Sequence, residues 1–176
     1  YRDNLRKSNI HFAKKAFDCI RETGESFVII GDFSHFFDSL DHAYLKKQIC
    51  DVLGVEILPP DYYAVFKNIT KYSICELIEL LKLNNLIDKE EDIRILNSKR
   101  RVLSEKEFKK HKKELIIKHK DNYGIPQGSA ISAVLANIYM ITIDEKMDKL
   151  AGKFNGLYMR YSDDFIIVLP RISEEN

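Results

Sequence analysis

The sequence predicts an α+β domain, a small antiparallel sheet with helices packed on one face and a charged, largely helical insertion. Three observations predict it. One β-rich run, Phe27-Val28-Ile29-Ile30, stands between helical patterns near the start of the chain. Two more such runs, 157–161 and 165–169, are separated only by Ser162-Asp163-Asp164, the spacing of a β-hairpin. Between these halves lie amphipathic stretches long enough to cover one face of a sheet.

The elements follow in order. Residues 8–23 read as a helix: Ser8 is a candidate N-cap, Ile10, Ala13, Phe17 and Ile20 recur at helical spacing, and Gly24 stops it. Residues 27–30 form a buried strand ending at Gly31-Asp32. Asp41 caps a second helix through about Leu53, where Gly54 ends it. Pro59-Pro60-Asp61 opens a helical stretch running with breaks to Leu83. The composition shifts after Asn84-Asn85, and residues 99–120 hold ten Lys or Arg against three Glu. Within this run Ser104-Glu105-Lys106-Glu107 is a capping-box signature. The run reads either as a solvated helix face or as a patch facing nucleic acid. A loop, Tyr123-Gly124-Ile125-Pro126-Gln127-Gly128, leads into a helix from Ser132 to about Leu150. Gly152 and Asn155-Gly156 then turn the chain into the hairpin, whose tip carries two carboxylates.

Composition narrows the class. The chain has 176 residues, 28 Lys+Arg against 27 Asp+Glu, and 45% hydrophobic positions. That excludes a disordered chain and suits one domain with a sizeable core. The longest mostly apolar run, 131–143, is interrupted by Ser132, Asn137 and Thr142 and is too short for a membrane span. Cys19, Cys50 and Cys75 are far apart, which argues against a disulfide framework or a cysteine zinc site. No signal core opens the chain, so the expected location is the cytoplasm. The five histidines make no metal-ligand spacing, and none is given a role.

Acidic residues at the ends of apolar strands carry the chemistry. Asp32 follows Val28-Ile29-Ile30, and Asp163-Asp164 sit between Tyr161 and Phe165-Ile166-Ile167-Val168. Adjacent strands would gather three carboxylates in one small site. Like charges about 4 Å apart cost on the order of 4 kcal/mol per pair at an effective dielectric near 20. Such a cluster needs protons or cations to neutralise it. All-oxygen ligation favours Mg²⁺, for which Mn²⁺ can substitute, and the matching chemistry is two-metal phosphoryl transfer.

Three segments extend this reading. Asp32-Phe33-Ser34-His35-Phe36-Phe37-Asp38-Ser39-Leu40-Asp41-His42 resembles motif A of bacterial reverse transcriptases. Gly124-Ile125-Pro126-Gln127-Gly128-Ser129, with Ala136-Asn137-Ile138-Tyr139, resembles their motif B. Arg160-Tyr161-Ser162-Asp163-Asp164-Phe165 resembles motif C, the Tyr-x-Asp-Asp box. Residues 1–8 resemble the segment preceding motif A in group II intron enzymes. All three motifs stand in the family's order, and the likeness spans most of the chain outside roughly 85–120.

The resemblance implies a polymerase palm and nucleotidyl transfer onto a nucleic-acid 3′ end, as RNA-directed DNA synthesis. Its partners would be an RNA template, a DNA or RNA primer and dNTP. It implies Asp32 and Asp163 as principal metal ligands, Asp164 as the third carboxylate and the Phe33 carbonyl as a further ligand. Phe36 and Phe37 would lie under the incoming nucleotide, with Phe37 as the steric gate against a ribose 2′-OH. Gln127 and Gly128 would bound the nucleotide, and Tyr161 and Ser162 would approach the primer terminus. Residues 1–26 would be the end of the fingers, 27–84 and 123–176 the two parts of the palm, and 85–122 an insertion.

Ala133 and Ser162 depart from the residues usual in intron and retron enzymes. With Tyr62-Tyr63 and the charged insertion, they bring the chain closer to the "unknown group" and abortive-infection enzymes, a class associated with phage defence. The family's full fingers and thumb have no counterpart here, so the expectation is a palm-centred fragment that does not polymerise alone. Two other readings compete: the palm of another polymerase or a nucleotide cyclase, and a nucleic-acid-binding module that no longer polymerises. Phe37 argues against a ribonucleotide user, and intact Asp32, Asp163 and Asp164 argue against decay.

Overall fold

The computed structural model describes residues 9–171. Residues 1–8, with the Ser8 cap and the segment compared with intron enzymes, lie outside the described residues, as do residues 172–176. The chain divides into two compact units: residues up to Leu58 together with those from Tyr123 onward, and Pro59–Asn122.

The first unit holds α1 (Asn9–Thr23), β1 (Ser26–Asp32), α2 (His42–Leu53), α7 (Ser132–Lys153), β4 (Leu157–Tyr161) and β5 (Asp164–Pro170). Its sheet is antiparallel in the order β1-β5-β4. β5 is central because its run of Phe, Ile and Val suits burial between neighbours, and Val168 is fully buried. β1 is an edge strand rather than the buried strand expected, and Phe27, Val28, Ile29 and Ile30 are all exposed.

Helices cover both faces. α1 meets the face carrying Leu157, Met159, Ile166 and Val168, through Ala16, Cys19 and Ile20. Tyr158 and Arg160 alternate onto the opposite face, where both reach Asp144 of α7. The expected single helical layer is thus the α7 side, and α1 adds cover on the other side. α2 packs on α7: Thr142 donates to Gln48 Oε1 at 3.1 Å, and Tyr44 meets Tyr139 edge-on at 4.8 Å. The α2 caps match expectation. The Asp41 carboxylate accepts from the Tyr44 N–H at 2.7 Å, and Gly54 ends the helix at a left-handed φ of 66°. Gly156, just before β4, has no room for a side chain, since a Cβ there would lie 2.3 Å from the Val168 carbonyl oxygen.

The second unit contains α3 (Pro60–Thr70), β2 (Ser73–Cys75), α4 (Leu77–Leu83), α5 (Glu90–Ser98), α6 (Glu105–Leu115) and β3 (Ile116–Lys118). Leu81, Leu96 and Leu115 are buried in it. β2 and β3 form an antiparallel ribbon pairing Ser73 with Lys118. The sequence reading had a broken helical stretch across β2 and no strand at β3. Three residues are too few to register a period against flanking helices. The ribbon also explains why this unit begins at Pro59, ahead of the composition shift at Asn84-Asn85: β2 on the early side pairs with β3 on the late side. The capping box forms as expected, with reciprocal bonds between Ser104 and Glu107. Among the described residues, no helix is long and apolar enough to cross a membrane.

Candidate active site

The site is built at one end of the three-stranded sheet. The β1–β5 ladder runs from Ser26 opposite Pro170 to Asp32 opposite Asp164, and the β4–β5 ladder ends with Tyr161 opposite Asp164. Residues directly opposite share a face, so Asp32, Asp164 and Tyr161 form one row at the sheet's end. Past the ladder, the Phe33 N–H donates to the Asp163 carbonyl at 3.0 Å, tying the end of β1 to the hairpin turn. Ser162 leads the turn at a left-handed φ of 56°, rare for a residue with a side chain.

Beyond β1 the chain folds over itself through aromatic contacts. Phe33 packs against Phe36 at 5.8 Å and Phe165 at 5.3 Å. Gly31 makes room for this cluster, since a Cβ there would lie 2.7 Å from the Phe165 ring. His35 takes a left-handed φ of 52°, and a 3₁₀ turn (Phe37–Ser39) follows. The motif B loop is fastened to this segment. Ile125 N–H donates to the Phe37 carbonyl and Gly124 N–H to the Leu40 carbonyl, each at 2.9 Å, and His42 Nε2 meets the Gly124 carbonyl at 2.6 Å. The Ser132 hydroxyl donates to the Pro126 carbonyl at 2.6 Å, fixing the loop to the start of α7. Gly128 adopts φ 85°, a conformation suited to glycine.

These loops border a half-open cavity of about 220 Å³ lined by His35, Phe36, Phe37, Asp38, Gln127 and Asp163. Four residues singled out from the sequence, Phe36, Phe37, Gln127 and Asp163, therefore meet around one space. Asp32 and Asp164 lie beside it as the cross-strand pair, while Phe33, Gly128, Tyr161 and Ser162 shape its surroundings without lining it. His35 and Asp38 were given no role from sequence. Their signal was position alone, within one turn of chain after Asp32.

Sequence reasoning also missed the support beneath the turn. Arg160, whose side chain is 6% exposed, donates from Nε and Nη2 to the two Asp144 carboxylate oxygens at 2.8 and 2.7 Å. Its Nη1 donates to the Ser162 carbonyl and its Nη2 to Asn137 Oδ1 at 3.2 Å. The Tyr158 hydroxyl donates to Asp144 at 2.8 Å. Burial, then the Asp144 bond and charge, push the Tyr158 hydroxyl's pKa well above its usual value.

Like charges directly opposite on paired strands repel, and a hard divalent cation relieves such repulsion through oxygen ligands. Among the described residues, no three His, Cys, Asp or Glu side chains are grouped as a metal cage. Mg²⁺ commonly uses only one or two carboxylates and completes its shell with water and substrate phosphates, so this donor set fits it.

No protein-family model matches the chain, and no curated protein matches it in sequence. Solved structures do. Apo telomerase from Candida tropicalis, truncated from its C-terminal domain, is 18% identical, with a TM-score of 0.50 over 94% of this chain and 29% of that one. Apo telomerase from the same organism is 20% identical, with a TM-score of 0.50 over 94% and 28%. Telomerase from Candida albicans with a fragment of telomeric RNA is 18% identical over 93% and 27%, with a TM-score of 0.49. The chain spans less than a third of these proteins. At this identity the likeness is one of fold: an α+β, palm-like architecture. The intron-type kinship inferred from the motifs has no counterpart among these matches.

Proposed function

We propose that this chain is the palm of an RNA-directed DNA polymerase and carries out nucleotidyl transfer. The observation that carries this reading is the meeting of Asp163, Gln127 and the Phe36-Phe37 pair around one cavity, beside the Asp32–Asp164 pair. A primer 3′ oxygen would attack the α-phosphorus of a dNTP, forming a phosphodiester as the bond to pyrophosphate breaks. Asp32, Asp163, Asp164 and the Phe33 carbonyl would hold Mg²⁺. Such ions, when bound, would lower the pKa of the primer hydroxyl and neutralise charge at the leaving pyrophosphate. The chain's own part is positioning. Gln127 and Phe37 bound the nucleotide, Phe37 excludes a 2′-OH, and Tyr161 and Ser162 stand at the hairpin end where a primer terminus would lie. Template RNA, primer and dNTP are the partners this reading names, and phage defence or a mobile element is its setting.

The test is primer extension on an RNA template with dNTP and Mg²⁺, using the whole protein that carries this chain. Extension abolished by Asp163→Asn is expected; extension indifferent to that change overturns the proposal.

A further inference from the structure

Ser162 holds a left-handed backbone conformation that its own side chain disfavours, at the turn that presents Asp163, so what steadies this turn bears on the site. The candidates for that work are few. The β4–β5 ladder closes the turn at Tyr161 opposite Asp164, the Phe33–Asp163 bond ties it to β1, and a side-chain fastening comes from Arg160, whose Nη1 donates to the Ser162 carbonyl. Arg160 is itself immobilised. Both Asp144 carboxylate oxygens accept from it, Asn137 accepts from the same guanidinium, and Tyr158 donates to Asp144 from the next-but-one position on β4. Asp144 and Asn137 both lie on α7, whose first residue, Ser132, anchors the loop bearing Gln127. One planar, five-donor group thus links the Asp163 turn to α7, the helix whose first residue anchors the Gln127 loop.

We propose that Arg160 is a positioning residue: clamped on Asp144, it holds the Ser162 carbonyl and so fixes the turn that presents Asp163 to the cavity. The functional part of this inference rests on reading Asp163 as a metal ligand. A lysine cannot replace it, because one ammonium cannot span two carboxylate oxygens, an amide oxygen and the turn carbonyl in fixed directions. Burial opposes the Arg160 charge, but the hydrogen bonds and charge of Asp144 outweigh it and raise its pKa, so the clamp stays charged at all ordinary pH.

The experiment compares the wild-type chain with Arg160→Lys and Asp144→Asn, each checked for folding by far-UV circular dichroism. Amide hydrogen exchange is followed at Phe33, whose N–H reports the turn directly, and at the centre of β5, which reports the sheet. Mn²⁺ affinity is measured alongside, with Asp163→Asn as reference. The clamp predicts that both variants speed Phe33 exchange about tenfold or more, leave central β5 protection unchanged, and weaken Mn²⁺ binding. Phe33 protection unchanged in both variants overturns the proposal. Phe33 released, with Mn²⁺ binding indifferent to Asp163→Asn, supports the clamp and removes Asp163 from the metal site instead.

Discussion

Phe37 lines the cavity beside Gln127 and Asp163, with its ring edge-on to Phe36 at 5.4 Å. Its carbonyl is held by Ile125 N–H, so truncating the ring leaves the backbone anchored. If the ring bounds the sugar, Phe37→Ala raises rNTP incorporation relative to dNTP. One lost clash is worth about 1–3 kcal/mol, or roughly ten- to two-hundredfold in discrimination, read from competitive primer extension. At this scale the sequence was partly legible. Phe36, Phe37, Gln127 and Asp163 were marked by short segments whose order along the chain is informative. The bond of Arg160 to Asp144 was not legible, although Arg160 stands in one of those segments: a salt bridge between a helix and a strand has no local spacing, and its partners meet only once β4 lies on α7. The approach of Asp32 to the hairpin carboxylates was legible, but its register opposite Asp164 was not, because an all-apolar strand such as Phe27-Val28-Ile29-Ile30 has no alternation to fix it.

Among the elements, α6 makes the clearest claim to a surface role. Lys106, Lys109, Lys110 and Lys113 recur at positions i, i+3, i+4 and i+7, all exposed, on the side opposite buried Leu115. Among the described residues none of the four is in an ion pair, so the stripe is free to meet phosphates. Replacing all four with Gln should weaken binding to mixed-sequence single-stranded RNA. It should also flatten the salt dependence by about one unit of slope per lost phosphate contact, measured by anisotropy titrations at several salt concentrations. Unchanged affinity and slope would leave the stripe as a solvated face. The start of the same helix carries a pH signature. The Ser104 hydroxyl, then its backbone N–H, donates to Glu107 and holds its carboxyl below the usual glutamate pKa. A lowered folded-state pKa means support that is present above the ordinary glutamate range and lost as pH falls through the lowered value. Amide protection in the first turn of α6 should therefore fade on acidification in the wild type. In Glu107→Gln, which keeps the box but not the charge, it should stay flat. Strands β2 and β3 mark the limit of reading at this scale, whereas α2, with an Asp cap before it and a Gly after it, was legible at both ends.

At the scale of the whole molecule, the sheet unit is discontinuous, with Pro59–Asn122 threaded between its halves. Joining Leu58 to Tyr123 through a short Gly/Ser linker roughly halves the loop between β1 and β5. Loop-closure entropy changes by only about 0.6 kcal/mol per doubling of length. The shortened chain should keep the Asp32–Asp164 register, seen as cross-strand Hα contacts by NMR, with denaturation stability within about 1 kcal/mol of the parent. A larger loss would mean that the sheet depends on the second unit for more than connection.

The position of β5 between β4 and β1 also sets an order of events. The β4–β5 hairpin closes over two residues, within microseconds on general grounds, whereas β1 must find β5 across most of the chain. Asp32 therefore meets Asp164 late, and their repulsion opposes the slowest closure rather than the early steps. Counter-ions that screen carboxylates then act as folding catalysts of a sort, lowering the barrier to the arrival of one strand. Salt that screens one pair of side chains would thus be felt in how fast the sheet closes, apart from any chemistry at its end.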